Sequence, residues 1–215
     1  VTTSDRNAVT DPVTNGVTAP DAIEAIADAE VEAELAEIRL EGFLGRRPGR
    51  FATPGDLNAD LLAWARRALA GDRGNLVITG ATGTGKTWSA WRLGEELLRH
   101  GFRGRVEIAS AYQIRQLAAP PTDTDALARL AAAELLALDD IGAVRVSDWD
   151  ADHLYALIDE RWAHRRPVIV IANATEPAEK GRTLLESLLG ERVASRIRDG
   201  VTVVAMTGAD RRQPS

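Results

Sequence analysis

Residues 76–87 read Leu-Val-Ile-Thr-Gly-Ala-Thr-Gly-Thr-Gly-Lys-Thr, and the fold follows from how that stretch is understood. Leu76 to Thr79 form a short apolar run after the turn sequence GDRGN, which predicts a buried strand. Gly80-Ala81-Thr82-Gly83-Thr84-Gly85-Lys86-Thr87 then fits G-x-x-x-x-G-K-[ST], between that strand and a predicted helix, the context the pattern needs. Its glycines let backbone N–H groups turn inward around a phosphate chain. Lys86 brings a mobile point charge to the terminal phosphates, and the Thr87 hydroxyl can join the shell of a Mg²⁺ ion. The start of the helix adds its partial positive charge. Only Lys86 and Lys180 are lysines among the 26 basic residues, so this arginine-rich chain has placed one of its two lysines in the loop.

Outward from the loop, strand-like and helix-like segments alternate. Strands are predicted near 76–79, 105–110, 134–139, 168–172 and 201–206. Helices are predicted near 57–70, 85–100, 111–118, 123–133, 149–165 and 183–198. Strands separated by helices indicate a parallel sheet covered on both faces, an α/β fold. Residues 1–20 are rich in Thr, Asp, Asn, Gly and Pro without periodicity and read as a disordered tail. In 21–41, Ile23, Ala27, Val31, Leu35 and Ile38 share one helix face and acidic residues crowd the other. That acidic amphipathic helix either packs back on its own domain or docks on a partner protein. Residues 42–56, GFLGRRPGRFATPGD, read as a connector, and 57–215 as the main domain.

The length of 215 residues suits one domain with an extension. No window approaches eighteen uncharged apolar residues, so no membrane span is expected. The first residues lack an apolar secretory core, which makes the cytoplasm the simplest location. With no cysteine, disulfides, thiolate metal sites and cysteine nucleophiles are excluded, and the three histidines form no close-spaced ligand pair. Residues 1–41 carry ten acidic and two basic side chains, a net of −8, so the remainder has a net of +2. That is too little basic excess to argue for tight duplex binding by charge.

Three further segments carry candidate chemistry. The apolar run ending in Asp139-Asp140 places two carboxylates at the C-terminal end of a strand, where ligands of open α/β sheets bind. Asp139 is placed to hold Mg²⁺, and Asp140 to polarise an attacking water. The run Pro-Val-Ile-Val-Ile-Ala-Asn173 repeats the pattern with one amide, which can orient water, contact a γ-phosphate or form an Asx-turn. Arg192 and Arg196, spaced i, i+4, share one helix face. A guanidinium there can reach a neighbouring subunit's γ-phosphate, though the spacing by itself favours a solvated or salt-bridged surface.

Taken in order, GATGTGKT, LLALDDIG, VIVIAN and LGERVASRI…VTVVAMTGADRR resemble the AAA+ ATPases, and among them the DnaC-type helicase loaders and IstB-type transposition helpers. The resemblance covers roughly residues 46–212, including the connector RRPGRFAT. It implies a five-stranded sheet of order 5-1-4-3-2 between helices, with no C-terminal lid domain because only GADRRQPS follows the last strand. It implies that Gly80 to Thr87 bind ATP, that Thr87 and Asp139 hold Mg²⁺, and that Asn173 is sensor 1. Arg196 matches the arginine finger acting in trans, with Arg192 in reserve, and Arg211 or Arg212 a sensor 2. Asp140 stands where many relatives carry glutamate. One methylene shorter, it implies slow hydrolysis, a switch more than a motor.

The resemblance also implies assembly of copies in the ATP state and a partner. One reading is a replicative DNA helicase loader in DNA replication, docking the helicase through residues 21–41. The other is a transposition helper binding duplex DNA and a transposase. An arm of net −8 suits protein docking better than duplex DNA. Single-stranded DNA is a further candidate partner, with Tyr112, Arg115 and Arg129 as contacts, although aromatics are few. Trp88 and Trp91 read as helix-packing residues rather than a base-stacking platform. A small-molecule kinase would need an acceptor site and a lid over the phosphates, and no lid insertion is seen. A non-catalytic ATP-binding adaptor is disfavoured by the intact Lys86, Thr87 and Asp139.

Overall fold

Alternation along each strand decides which face of the sheet a residue covers. In the computed structural model, residues 19–141, 148–173, 183–208 and 210 are described. Leu76 and Ile78 of β1 (Leu76–Gly80), Leu135 and Ala137 of β3 (Leu135–Ile141), and Ile169 and Ile171 of β4 (Val168–Asn173) enter one apolar core. Their neighbours Val77, Leu136, Leu138, Val168 and Val170 enter a second core on the opposite face. With β2 (Val106–Ser110) and β5 (Thr202–Met206), the strands form an all-parallel sheet of order β2-β3-β4-β1-β5. Read from the other edge this is the expected 5-1-4-3-2. A sheet buried on both faces needs continuous apolar strands, and β1 is buried at all five residues.

The first core is covered by α2 (Ala59–Leu69) and α3 (Lys86–Arg99), through Leu61, Trp64, Trp91, Leu93 and Leu97. The second lies under α4 (Ala111–Ala118), α5 (Thr124–Ala132), α6 (Asp148–Ala163), α7 (Leu184–Leu189) and α8 (Glu191–Arg198). The single helix expected over 183–198 is thus two. Gly190, at φ 79° and ψ 158°, leaves helical space and breaks it. Thr183 and Glu186 start α7 with a capping box, and α8 follows at Glu191.

The chain divides between Leu35 and Ala36. α1 (Ala19–Gly45) begins earlier and ends later than the expected 21–41, and residues 1–18 lie outside the described ones. In its N-terminal part Ile26, Val31 and Leu35 are exposed, as is Ile38 further on. Its end belongs to the main core. Phe43 is 1% exposed and tilts against Trp91 with ring centroids 5.0 Å apart. It also fills the space over Gly94, where an added Cβ would lie 2.5 Å from the ring. The main unit therefore starts upstream of residue 57: within the segment read as a connector, Leu44 and Phe51 pack on the same core as Phe43, as do Leu40 and Leu57 on either side of it. No described helix is long and apolar enough to cross a membrane.

Two buried polar side chains tie the strand N-termini together. Arg161 of α6, with no exposed surface, donates to the carbonyls of Leu130, Ala131, Ala133 and Pro167 and so caps the end of α5. The Asn75 amide donates to the carbonyls of Arg196, Ile197 and Asp199 and accepts from the N–H of Val168, which anchors the end of α8.

Candidate nucleotide-binding site

The loop from Gly80 to Gly85 must turn tightly, and its glycines are there for space as much as for freedom. A Cβ on Gly80 would lie 2.3 Å from the Met206 carbonyl of β5, and one on Gly83, at φ +83°, 1.8 Å from the Asp210 carboxylate. Gly85 caps α3 in the left-handed region, so α3 begins at Lys86 with its N-terminus at the loop. The Lys86 ammonium donates to the carbonyls of Gly80 and Ala81 at 2.9 and 2.8 Å, which holds it inside the loop.

β3 brings the carboxylates. In an even strand, adjacent side chains point to opposite faces, yet Asp139 and Asp140 line the same cleft. The cause is an irregularity in register against β4: Leu138 pairs with Val170, but Ile141 pairs with Ala172, so one extra residue is accommodated. Asp140 takes it up with φ +57°, a conformation Asp tolerates better than most residues. Its N–H donates to Asp139 Oδ1 at 2.9 Å. Asp139 also accepts from the Thr87 hydroxyl at 3.1 Å. Burial pushes the Asp139 carboxyl above its ordinary range, against the lowering effects of the Thr87 bond and the Asp140 N–H. Asn173, paired with Gly80 in register, closes the row at the end of β4.

These residues line a cleft of about 810 Å³. Its other wall is Arg50, Phe51, Thr53, Pro54 and Gly55, from the segment expected to be a mere connector. Trp88 holds that wall: its indole N–H donates to the Thr53 carbonyl at 2.9 Å, and its ring lies so close to Gly55 that a Cβ would be 2.9 Å away. Arg47 adds an ion pair to Glu95 of α3 at 2.6 Å. Trp91, by contrast, is core. The signal missed was Gly55, a glycine placed opposite a tryptophan distant in sequence.

The remaining predicted residues lie elsewhere. Arg196 and Arg192, on α8, line no part of this cleft, and Arg196 is paired with Asp159 at 2.5 Å. Tyr112 is 60% exposed on α4, and Arg115 and Arg129 are exposed. Arg211 and Arg212 lie outside the described residues.

An all-parallel sheet of this order, with a glycine loop after β1, carboxylates at the end of β3 and an amide at the end of β4, is the α/β fold of the P-loop NTPases. Residues 58–214 match the family described as IstB-like ATP binding protein, and the chain belongs to that family. It is 30% identical over 114 residues to an insertion sequence IS1162 ATP-binding protein of Pseudomonas fluorescens. That match takes in 52% of this chain and 49% of the relative, so the chain spans about half the length of the curated relative it matches. Among solved structures it resembles the DnaC helicase loader, at TM-score 0.59 and 21% identity over 73% of this chain and 96% of that one. It resembles DnaI at 0.60 and 18%, over 78% and 95%, and AMPPCP-bound DnaA of Aquifex aeolicus at 0.56 and 20%, over 74% and 50%. At such identities the likeness is one of fold.

Proposed function

We propose that this protein hydrolyses ATP as a slow switch and, in doing so, loads a replicative helicase onto DNA. The pairing of Thr87 with Asp139 beside the displaced Asp140 supports hydrolysis most directly, because it puts a metal-ligand pair and a free carboxylate at the foot of one phosphate cradle. The residues fit ATP and Mg²⁺: Lys86 and the start of α3 bring positive charge to the loop, and the buried Asp139 gains from a cation. Gly80 to Thr87 hold the phosphates, Lys86 turns from the loop carbonyls toward them, and Arg50 to Gly55 wall the rest of the nucleotide. Thr87 and Asp139 would hold Mg²⁺, which would supply neutralisation of the phosphate charge. Asp140 and Asn173 hold and orient the attacking water, and Asp140 accepts its proton. An arginine of α8 completes the site of a neighbouring copy, so copies associate in the ATP state.

For the partner, the acidic helix over 21–41 supports docking on another protein, since Ile26, Val31, Leu35 and Ile38 present apolar surface among carboxylates. Tyr112, Arg115 and Arg129 are offered to single-stranded DNA. The insertion-sequence relative supports a second reading, a transposition helper acting with a transposase. The test mixes the purified protein with the replicative helicase of its own cell and closed-circular single-stranded DNA, under ATP or ADP, with and without residues 1–41. ATP-dependent helicase deposition that needs those residues is expected. Binding of the co-encoded transposase with no helicase binding selects the second reading, and a turnover number near the common enzyme value of about 10 s⁻¹ without any partner refutes the slow switch.

A further inference from the structure

Trp88 follows Thr87 in the first turn of α3, so the phosphate loop that starts the helix also fixes where the indole stands. The wall it meets has little else to hold it. Phe51 packs on the first core, and the Ala52 N–H closes a short turn on the Gly49 carbonyl at 3.0 Å. Beyond that turn, Thr53 to Asp56 are all exposed and belong to no helix or strand. Among the described residues, no backbone–backbone hydrogen bond begins or ends between Thr53 and Leu57. An exposed stretch without backbone pairing opens at little cost in free energy. The Trp88 side chain supplies what the backbone lacks. Its indole N–H donates to the Thr53 carbonyl, and the edge of its ring, Cζ2 and Cη2, packs on Gly55, 2.9 and 3.1 Å from where a Cβ would stand. Trp91, three residues on, is buried in the first core and takes no part in the wall.

Thr53, Pro54 and Gly55 line the same cleft as Thr82 to Thr87, beside Arg50 and Phe51, whose guanidinium lies 4.6 Å from the ring centroid. The loop, Lys86 and Thr87 provide for the phosphates, so the part of a nucleotide left to this wall is its base and ribose. We propose that Trp88 is the positioning residue for that end: it holds residues 53–55 against the cleft, and so contributes to affinity for the whole nucleotide and not for its phosphate chain. The inference rests on the reading that this cleft takes ATP. Thr87 and Trp88 are neighbours on one helical turn, so the hydroxyl that faces Asp139 and the indole that holds the wall keep a fixed spacing. The two ends of the cleft are thereby set before a ligand arrives, which spares the ordering cost of a loose loop. Gly55 is the counterpart of Trp88, because any side chain there pushes the wall off the ring.

Calorimetric titration of the full chain with ATP and, in parallel, with inorganic tripolyphosphate, both with Mg²⁺, separates the two ends. The parent should bind ATP more tightly than tripolyphosphate, which has the phosphate chain alone. Trp88→Phe keeps a ring against Gly55 but has no N–H, and should weaken ATP about two- to tenfold, the range for one net hydrogen bond. Trp88→Ala, which loses bond and ring, and Gly55→Ala, which forces the two apart, should weaken it about tenfold or more. In every variant tripolyphosphate affinity should stay within about twofold of the parent, and steady-state hydrolysis should show a raised KM with kcat held. Should Trp88→Ala not fold, Trp88→Phe and Gly55→Ala carry the comparison. Equal losses for ATP and tripolyphosphate would show that Trp88 only supports the loop, and would overturn the proposal, as would ATP binding unchanged in Trp88→Phe and Gly55→Ala. A parent that binds tripolyphosphate as tightly as ATP overturns the proposal and leaves the phosphate loop intact. A parent that binds neither overturns the reading of the cleft itself.

Discussion

Replacing Glu95 with glutamine tests how the wall of the nucleotide cleft is held. Glu95 is buried in α3, its side chain 6% exposed, and meets Arg47 at 2.6 Å and both Arg92 and Arg99 at 2.9 Å. Burial by itself would raise its carboxyl, but the bonds from Arg99, Arg92 and Arg47 outweigh it and hold the group at about 2 rather than 4.5. A folded-state value below the unfolded one contributes stability in full above pH 4.5 and loses it as pH falls toward 2. The lowering corresponds to at most about 3 kcal/mol at pH 7, less whatever solvent screens, and the same linkage leaves under half of it at pH 3. Glutamine keeps the volume but turns an amide donor toward arginine donors. Urea titrations of both proteins at pH 7 and pH 3 should therefore show the variant weaker by at most about 3 kcal/mol at neutral pH, with the gap more than halved in acid. ATP affinity should fall as well, because Arg47 stands just before the segment that walls the cleft. An equal gap at both pH values, or none at pH 7, would refute the reasoning.

Three further outcomes are expected. Lys86→Ala should abolish ATP binding in a calorimetric titration while the protein stays folded. Phe43→Ala should cost about 3–5 kcal/mol in denaturant titration, as removal of a buried phenylalanine does; a loss below about 1 kcal/mol would mean that the end of α1 is not part of the core. Arg161→Met should leave the carbonyls of Leu130, Ala131, Ala133 and Pro167 without their donor and destabilise by about 1–3 kcal/mol for each carbonyl that stays buried and unpaired, less the cost of burying the charge that is removed. A variant as stable as the parent would show that water serves those carbonyls.

Hydrophobic period and loop chemistry are local, so they were legible along the chain. The apolar run at Leu76–Thr79, the glycines and lysine after it, and the apolar strands ending in Asp139 and Asn173 each announce their place without knowledge of what lies opposite. Strand order was legible only through resemblance, since pairing partners are far apart in sequence. The break at Gly190 was missed because the apolar positions on both sides keep a helical period, and a single glycine is an ambiguous stop signal.

The chain's own sequence thus determined the phosphate loop, the alternating α/β order and the residue types at the strand ends, because each depends on neighbours within a few positions. Only the tertiary structure decided the rest. The extra residue at Asp139–Asp140 exists relative to β4, and it turns two carboxylates of opposite parity into one cleft. The segment around Gly55 becomes a wall because Trp88, 33 positions on, hydrogen-bonds to Thr53 and leaves no room for a side chain at Gly55. Arg196 is held in its own chain because α6 packs beside α8 and brings Asp159, Tyr155 and Trp162 to it. A spacing of four residues states which side chains share a helix face, and what that face meets is set by packing between elements distant in sequence.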